Sequence, residues 1–155
     1  MTQELEAPLN IFRFEVTFKR VAGTGGTENV CWGSFGECSG LEATMEPKVI
    51  KAGGANYGAA QRPGPVSFAT VILKRGMTSN RDLFKWFQLV AGGAFAYRLS
   101  AEIGMRDINA DVVATWSLDR CLPVKFKAAD LNASSKDVSI EELHLAHEGL
   151  RLRDQ

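Results

Sequence analysis

Near the start of the chain, apolar and polar residues alternate strictly, and this pattern limits the local backbone to an extended strand. The apolar positions are Phe12, Phe14, Val16 and Phe18, and the polar positions between them are Arg13, Glu15, Thr17 and Lys19. Successive side chains of a β-strand point to opposite faces, so a period of two residues yields one apolar and one polar face. The segment is therefore predicted to be a half-buried strand with one face on a core and the other in water.

Further segments with strand-like patterns follow, separated by turn-forming residues. Segments 97–105 and 111–118 alternate regularly and are joined by a turn. Segment 66–74 is apolar on both faces in places, which is typical of a central strand covered on both sides. The strands predicted after the first are 32–39, 42–50, 66–74, 97–105, 111–118, 121–127 and 138–147.

Two of these predicted strands contain an irregularity. Pro123 has no backbone N–H to donate, which indicates an edge position or a bulge. Val138 and Ile140 have the opposite parity to the two leucines that follow them in the last strand. A bulge near residues 141–142 would be needed to bring all four side chains inward.

One helix is predicted over residues 79–91. Residues 78–80 offer N-cap oxygens, Asp82 suits the positive end of the helix dipole, and two glycines at 92–93 supply a stop. Strands, one helix and then more strands predict a mainly β fold, a small β-barrel or sandwich of two packed sheets with one α-helix. The apolar stripe of this helix consists of Leu83, Trp86, Phe87 and Val90.

Length and composition fit one domain, 1–155. The chain has 155 residues, of which 45% are hydrophobic, so it can bury a sizeable core. Eighteen basic and eighteen acidic residues give a net charge of zero. This balance argues against specific nucleic-acid binding and permits self-association. The chain shows no secretory signal and no apolar run of about 20 residues, so we expect synthesis in the cytoplasm and no membrane span.

The sequence contains no recognisable catalytic constellation. His144 and His147 are three residues apart in a predicted strand, which sends them to opposite faces, and the same holds for the adjacent glutamates 141–142. The glycine-rich run 22–26 lacks the Lys-Ser/Thr that completes a phosphate-binding loop. We therefore expect no enzymatic activity.

The cysteines do not indicate a metal site or a disulfide framework. Cys31, Cys38 and Cys121 are an odd number, which suits a reducing compartment. Six residues separate Cys31 from Cys38, instead of the two to four typical of zinc sites. We expect free, buried or half-buried thiols, with no metal and no cofactor.

The predicted sheets have edges, and apart from Pro123 the chain has little to protect them. Edges can be satisfied by pairing with copies of the same chain, and head-to-tail pairing that closes gives a ring. Segment 51–65 is too rich in glycine and proline for regular structure and is long enough to reach a neighbouring copy. It is interpreted as an assembly loop, and a mobile surface loop is the open alternative.

Six short motifs follow one another in a fixed order. They are FGECSGLE at 35–42, KAGGAN at 51–56, RPGP at 62–65, ILKRGMT at 72–78, LFKW at 83–86 and VSIEELHLAHEGL at 138–150. In content and order they resemble the signatures of tail tube proteins of contractile phages and related injection systems. The resemblance covers nearly the whole chain, from about Phe12 to Leu150. Cys38 departs from it where an aliphatic residue is usual, and segment 21–29 is richer in glycine.

The resemblance implies a tail-tube or type VI ring-protein-like fold and a structural function. Family members form hexameric rings that stack into an inner tube inside a contractile sheath, and contraction expels the tube. The implied partners are further copies of the chain, the sheath protein, baseplate and tube-initiating proteins, and a terminator cap. A cargo effector or a tape-measure protein would occupy the lumen. Such a subunit is made in the bacterial cytoplasm and becomes part of a phage tail or of an injection particle, which some systems release from the cell.

Two groups of residues are functional candidates on this interpretation, and residues 1–10 are expected to form an N-terminal arm. The assembly loop would make subunit or ring contacts through Gly53, Gly54, Asn56, Tyr57, Arg62, Pro63 and Gly64. The candidate lumen-facing residues are Arg98, Ser100, Glu102, Thr115 and Ser117. Mixed polar side chains there would let cargo slide without adhering.

Two other functions remain open at this point. One is a secreted ring protein of a type VI secretion apparatus, which shares the same fold. The other is a small ligand-binding β-barrel, or an enzyme with an unrecognised site. A barrel that binds a ligand would be monomeric and would enclose an apolar cavity, whereas a tube subunit would form rings.

Overall fold

The computed structural model describes residues 13–20, 29–51, 53–54, 58–77, 81–93, 98–134 and 136–154, with the backbone alone for 29–34 and 154. The predicted N-terminal arm, 1–10, lies outside the described residues. The described part of the chain contains one helix, α1 (Asp82–Ala91). The strands are β1 (Arg13–Arg20), β2 (Asn29–Ser34), β3 (Glu37–Ser39), β4 (Ala43–Met45), β5 (Lys48–Ile50), β6 (Ala60–Arg62), β7 (Val66–Phe68), β8 (Val71–Gly76), β9 (Leu99–Arg106), β10 (Val112–Lys127), β11 (Ile140–Ala146) and β12 (Gly149–Asp154).

Two antiparallel sheets share one long strand, β10. Sheet 1 has the strand order β2-β1-β9-β10-β12, and sheet 2 has the order β10-β11-β8-β3. A register shift between Leu118 and Cys121 marks the point where β10 passes from one sheet to the other, and Arg120 there has a φ of +50°. Bulges of this kind bend a strand. The predicted strands 111–118 and 121–127 are therefore one bent strand.

The apolar faces of the two sheets and of α1 form one core. Val16 and Phe18, on the predicted apolar face of β1, are fully buried. The ring of Phe18 packs on Trp86 of α1, with 5.1 Å between the ring centroids. Burial of such apolar surface is the main favourable term in folding. The predicted mainly β fold of two packed sheets with one helix is confirmed. Other core residues are Val71, Leu73, Leu99, Ala101, Ile103, Leu118, Leu143 and Leu145.

The helix covers this core with the predicted stripe. Leu83, Trp86 and Val90 are buried and Phe87 is half-buried. The helix begins at Asp82 rather than at residue 79, and the residues predicted to cap it, 78–80, lie outside the described part of the chain. No helix among the described residues has the length and apolar character needed to cross a membrane.

Three predicted strands each divide in two. Segment 32–39 forms β2 and β3, which lie in different sheets. Segment 42–50 forms β4 and β5, with Pro47 between them, and a proline cannot donate to a ladder. Segment 66–74 forms β7 and β8, and its only central part is β8, between β11 and β3. The expectation of one central strand over 66–74 is therefore wrong for its first half, which pairs with β4.

The end of the chain differs from the prediction in two ways. β11 pairs with β8 in an uninterrupted register, so the predicted bulge near residues 141–142 is absent. Glu141 faces the interior, while Ile140 is 51% exposed and Val138 is 75% exposed. β12 follows β11 and adds a strand that the sequence patterns did not indicate. At Pro123, where an edge position or a bulge was expected, the register shifts directly after the proline, which is a bulge or irregularity.

Candidate functional site

Sheet 1 has a polar face opposite the core, and most of the predicted lumen residues lie on it. The strand register places Glu102 of β9 beside Ser117 of β10, and Ser117 beside Arg151 of β12. Ser100 and Thr115 lie two positions along the same strands and therefore share this face. Ser100, Glu102, Thr115 and Ser117 are all half-buried. The structure thus brings these four residues together on one surface, which we call the polar face.

The charges of the polar face are paired with one another. Glu102 accepts hydrogen bonds from Lys19 at 3.1 Å and from Arg153 at 2.7 Å, and Arg151 donates to Asp119 at 2.6 Å. Partial burial alone would raise the pKa of Glu102, but the hydrogen bonds from Lys19 and Arg153 lower the pKa below its ordinary value. The carboxylate therefore stays ionised and bridges three strands.

Arg98, the fifth predicted lumen residue, lies directly before β9 and not within it. Its side chain is half-buried, and its Nε atom is buried without a hydrogen-bond partner among the described residues. The strand register does not extend to this position. Its assignment to the lumen stays a prediction.

We call segment 43–68 the arm, and its described strands form a two-stranded ribbon. β4 pairs with β7 and β5 pairs with β6, both antiparallel and both separate from sheets 1 and 2. The expectation that segment 51–65 lacks regular structure is wrong, because β6 lies inside it. Strand pairing satisfies backbone groups that an unpaired loop would leave to water. At the base of the arm, the ring of Phe68 packs on His147 with 5.2 Å between centroids.

A close approach of two backbones joins the two halves of the arm. The N–H of Glu46 donates to the carbonyl of Pro65 at 3.1 Å. A Cβ atom added to Gly64 would lie 1.9 Å from the carbonyl oxygen of Glu46, so only glycine fits at this position. The RPGP motif therefore holds the ribbon together opposite Pro47.

The predicted assembly residues occupy different parts of the arm. Gly53 and Gly54 lie in a turn with open space around them, and Arg62 lies in β6. Asn56 and Tyr57 lie outside the described residues. Pro63 and Gly64 lie at the backbone contact with Glu46. Their role in assembly stays a prediction.

The arm exposes apolar side chains that its own ribbon does not cover. A two-stranded ribbon alone is marginally stable in water, and exposed apolar surface of this kind marks an interaction site. The arm therefore has the properties of half an interface. Its large exposed apolar residues are Met45 at 49%, Val49 at 57%, Ile50 at 45% and Val66 at 46% exposure.

A buried ion cluster, which the sequence patterns did not indicate, joins the helix to sheet 2. Arg75 of β8 donates to Glu141 of β11 and, at 2.8 Å, to Asp82 at the start of α1. Arg75 also lies over the ring of Phe35, 5.5 Å from its centroid. Burial would lower the pKa of Arg75, but the hydrogen bonds to Glu141 and Asp82 raise the pKa instead. Glu141 is therefore a structural partner, and Glu142 on the opposite face is half-buried, as their adjacent positions predict.

The histidines and the described thiols have surroundings that suit structural roles. His144 lies in β11, and His147 lies beyond it with Nδ1 3.0 Å from the carbonyl of Gly149. Cys38 and Cys121 are free, and burial raises their pKa values to about 11 and about 12. Both thiols are therefore protonated and unreactive at neutral pH. The Cys31 side chain lies outside the described set.

Comparison with known proteins identifies the family of this chain. The family model for the T4-like virus tail tube protein gp19 matches residues 10–151. The chain belongs to this tail tube family. The family indicated by the six motifs is therefore confirmed. No curated protein matches the sequence significantly.

Chains in several solved structures have the same fold as this tail tube family member. A chain in the 6-fold symmetrised cryo-EM structure of the anti-feeding prophage (AFP) baseplate is 25% identical, with a TM-score of 0.81 over 97% of this chain and 98% of that one. A chain in the extended sheath-tube complex of the PVC extracellular contractile injection system is 17% identical, with a TM-score of 0.75 over the whole of both chains. Hcp1 from Salmonella typhimurium is 10% identical, with a TM-score of 0.56 over 92% of this chain and 87% of that one.

Proposed function

We propose that this chain is the structural subunit of the inner tube of a contractile injection system or phage tail. Copies assemble into hexameric rings, the rings stack, and the polar face lines the lumen. The observation that carries this proposal is the polar face, where hydrogen bonds connect side chains on four strands of sheet 1. Lys19 and Arg153 both donate to Glu102, and Arg153 also donates to Ser117. Such a surface suits a water-filled channel better than a subunit core or a ligand pocket.

Ring closure has a natural location at the edges of sheet 1. Within the described strands, β2 and β12 are the two edges of this sheet, and each carries backbone groups without a strand partner on its outer side. Pairing of β12 in one copy with β2 in the next would satisfy both edges and would continue the polar face around the ring. The 6-fold symmetry of the related AFP baseplate structure supports six copies per ring.

The partners of the tube follow from its relatives. Similar chains occur in an AFP baseplate, in a PVC sheath-tube complex and in an AFP tube-terminating cap. By likeness, this tube binds a sheath outside, a baseplate with tube-initiating proteins at one end and a terminator cap at the other. A cargo effector or tape-measure protein occupies its lumen, and sheath contraction expels the tube. The role is structural rather than enzymatic.

Electron microscopy of the purified chain tests assembly. We expect annular particles with six-fold averages and stacked cylinders in negative stain, and a matching high-mass species in size-exclusion chromatography. A single-copy particle at high concentration, even with the sheath and baseplate proteins of the same particle present, would contradict the proposal. A secreted type VI ring protein, with an Hcp-like fold, would instead form rings and act with the proteins of a type VI apparatus.

Thiol accessibility tests the lumen assignment. Ser117→Cys places a thiol on the polar face, and Lys85→Cys places one on the exposed side of α1 as the matched control. In assembled tubes, a small maleimide should label both thiols, while a maleimide on a large polymer should label position 85 alone. The unassembled chain should lose this difference. Equal labelling of both positions by the polymer in intact tubes would exclude the polar face from the lumen.

A further inference from the structure

A groove lies on the outer face of sheet 2, away from both the polar face and the core. Residues 128–133 and 137–139 and the outward side chains of β3, β8 and β11 line it, and its volume is about 830 Å³. Lys74 lies at its floor between Glu37 and Glu142, 3.5 Å from each carboxylate. The sheet register makes Glu37 and Glu142 the direct cross-strand neighbours of Lys74.

The rim of the groove exposes apolar side chains. Leu131 is 95% exposed, Val138 is 75% exposed and Ile140 is 51% exposed. Exposed aliphatic residues beside a concave surface are typical of an interaction site. The groove therefore needs a partner that brings apolar side chains of its own.

The groove is acidic. Four carboxylates line it, those of Glu37, Asp130, Asp137 and Glu142, against two ammonium groups, those of Lys74 and Lys127, so its net charge is −2. The groove cations are paired with Glu37 and Glu142, and the Asp130 side chain is exposed. A basic partner suits this site.

The arm has the opposite charge and an internal conflict that a partner would relieve. Its sequence, 43–68, contains Lys48, Lys51 and Arg62 but only one carboxylate, Glu46, which gives a net charge of +2. Lys48 and Arg62 are direct cross-strand neighbours, and both are exposed. Like charges directly opposite each other destabilise a strand pair. An external carboxylate between them would remove this cost.

We propose that the groove receives the arm of a second copy of this chain, with Lys48 and Arg62 beside the carboxylate of Asp130. The apolar residues of the arm then cover Leu131 and Val138, so that both exposed apolar surfaces are buried by one contact. The contact is heterologous, because two different surfaces of the same chain meet, and such contacts propagate into rings or stacks. The inference rests on the proposed function, since it names the surface by which one tube subunit holds the next.

A charge exchange tests the contact. The variant K48E/R62E keeps two like charges opposite each other in the arm, so the internal cost of the ribbon is unchanged, but it places carboxylates beside Asp130. We expect the critical concentration for tube assembly to rise about tenfold or more, because like charges across an interface are strongly disfavoured. D130K alone should have a similar effect, and the combination K48E/R62E/D130K should restore assembly. K85E on the exposed side of α1 is the matched control and should leave assembly unchanged.

A designed cross-link gives a second, independent readout. In a background without the native cysteines, V49C and L131C are placed in separate copies, mixed, assembled and oxidised. A disulfide-linked dimer that appears only when both variants are present supports the inference. The inference would be overturned if the unmodified chain forms tubes, the triple variant does not restore assembly and the cysteine pair does not cross-link. The proposed function would still stand in that case. Failure of the unmodified chain to form rings or tubes would overturn both.

Discussion

The polar face of sheet 1 and the arm are both built from antiparallel strands, but their charged side chains are paired differently. On the polar face, Glu102 lies between Lys19 and Arg153 and bonds to both. In the arm, Lys48 lies opposite Arg62, and the paired strand contributes no carboxylate between them. The charges named on the polar face are therefore paired within one copy, whereas the arm places two exposed like charges opposite each other.

Apolar residues show the same contrast. Alternate residues of β1 such as Val16 and Phe18 are fully buried by the second sheet and the helix. In β5 of the arm, Val49 is 57% exposed, although it has the same residue type and strand geometry. The apolar face of β1 is therefore covered within one copy, whereas apolar side chains of the arm remain exposed. Three predictions test this division, in order of their effect on the free energy of unfolding of a single copy.

The largest effect is expected at the buried ion cluster of the body. Glu141→Ala removes the partner of Arg75 and leaves a buried guanidinium with one carboxylate fewer. Breaking a buried pair in this way costs about 3–5 kcal/mol. Urea denaturation of the unassembled chain should show a decrease of this size in the free energy of unfolding. The dependence of that free energy on urea concentration should be unchanged.

A matched double variant separates charge from packing at this site. Arg75→Met with Glu141→Leu replaces the more deeply buried pair of the cluster by apolar groups of similar volume, and Asp82 remains at the start of α1. This variant should recover part of the lost stability. A double variant as unstable as Glu141→Ala would show that the cluster acts through shape and not through an uncompensated charge.

A smaller, pH-dependent effect is expected at Glu102. Because the folded state lowers the pKa of this carboxyl, its contribution to stability is present above the ordinary carboxyl pKa. That contribution is lost as the pH falls through the lowered pKa. Glu102→Gln should therefore cost about 0.2–1 kcal/mol at pH 7, since the ion pairs are partly exposed, and the difference from the unmodified chain should vanish in acid.

Glu148→Gln is the control for the pH experiment. Glu148 also forms an ion pair, with Arg120 at 2.8 Å, but both side chains are more than half exposed. The difference in stability between this variant and the unmodified chain should be small at pH 7, because solvent screens an exposed ion pair. If Glu102→Gln shows no more pH dependence than Glu148→Gln, the bridging role of Glu102 is wrong.

The sequence was sufficient for features that depend on local periodicity. The alternation in β1 identified its buried face, and the same rule placed Ser100, Glu102, Thr115 and Ser117 on one surface. The stripe of α1 was correct because 3.6-residue spacing is also a local signal. The six motifs identified the family because they occur in the family's order over nearly the whole chain.

Features that depend on distant partners were not predictable in this way. Glu141 lies at a core position because Arg75, 66 residues away in the sequence, neutralises its charge. The alternation of residue types alone predicts that a carboxylate faces water. The pairing of β6 with β5 was missed because glycine and proline around it indicate a turn. Gly64 in fact allows a close backbone contact that strengthens the ribbon. A pattern of residue types does not show which distant residue will lie next to a given side chain in the folded protein.

The smallest effect on a single copy, with the largest consequence for assembly, is expected at Gly64. Gly64→Ala places a methyl group 1.9 Å from the carbonyl oxygen of Glu46, so the two halves of the arm must separate. Because the arm pairs with itself and not with sheet 1 or 2, the free energy of unfolding of the body should change by less than about 0.5 kcal/mol. Tube formation in negative stain should nevertheless fall sharply. Lys85→Ala, on the exposed side of α1 and outside the arm, is the control and should assemble normally. A Gly64→Ala chain that assembles as well as this control would show that the arm's shape is not required between copies.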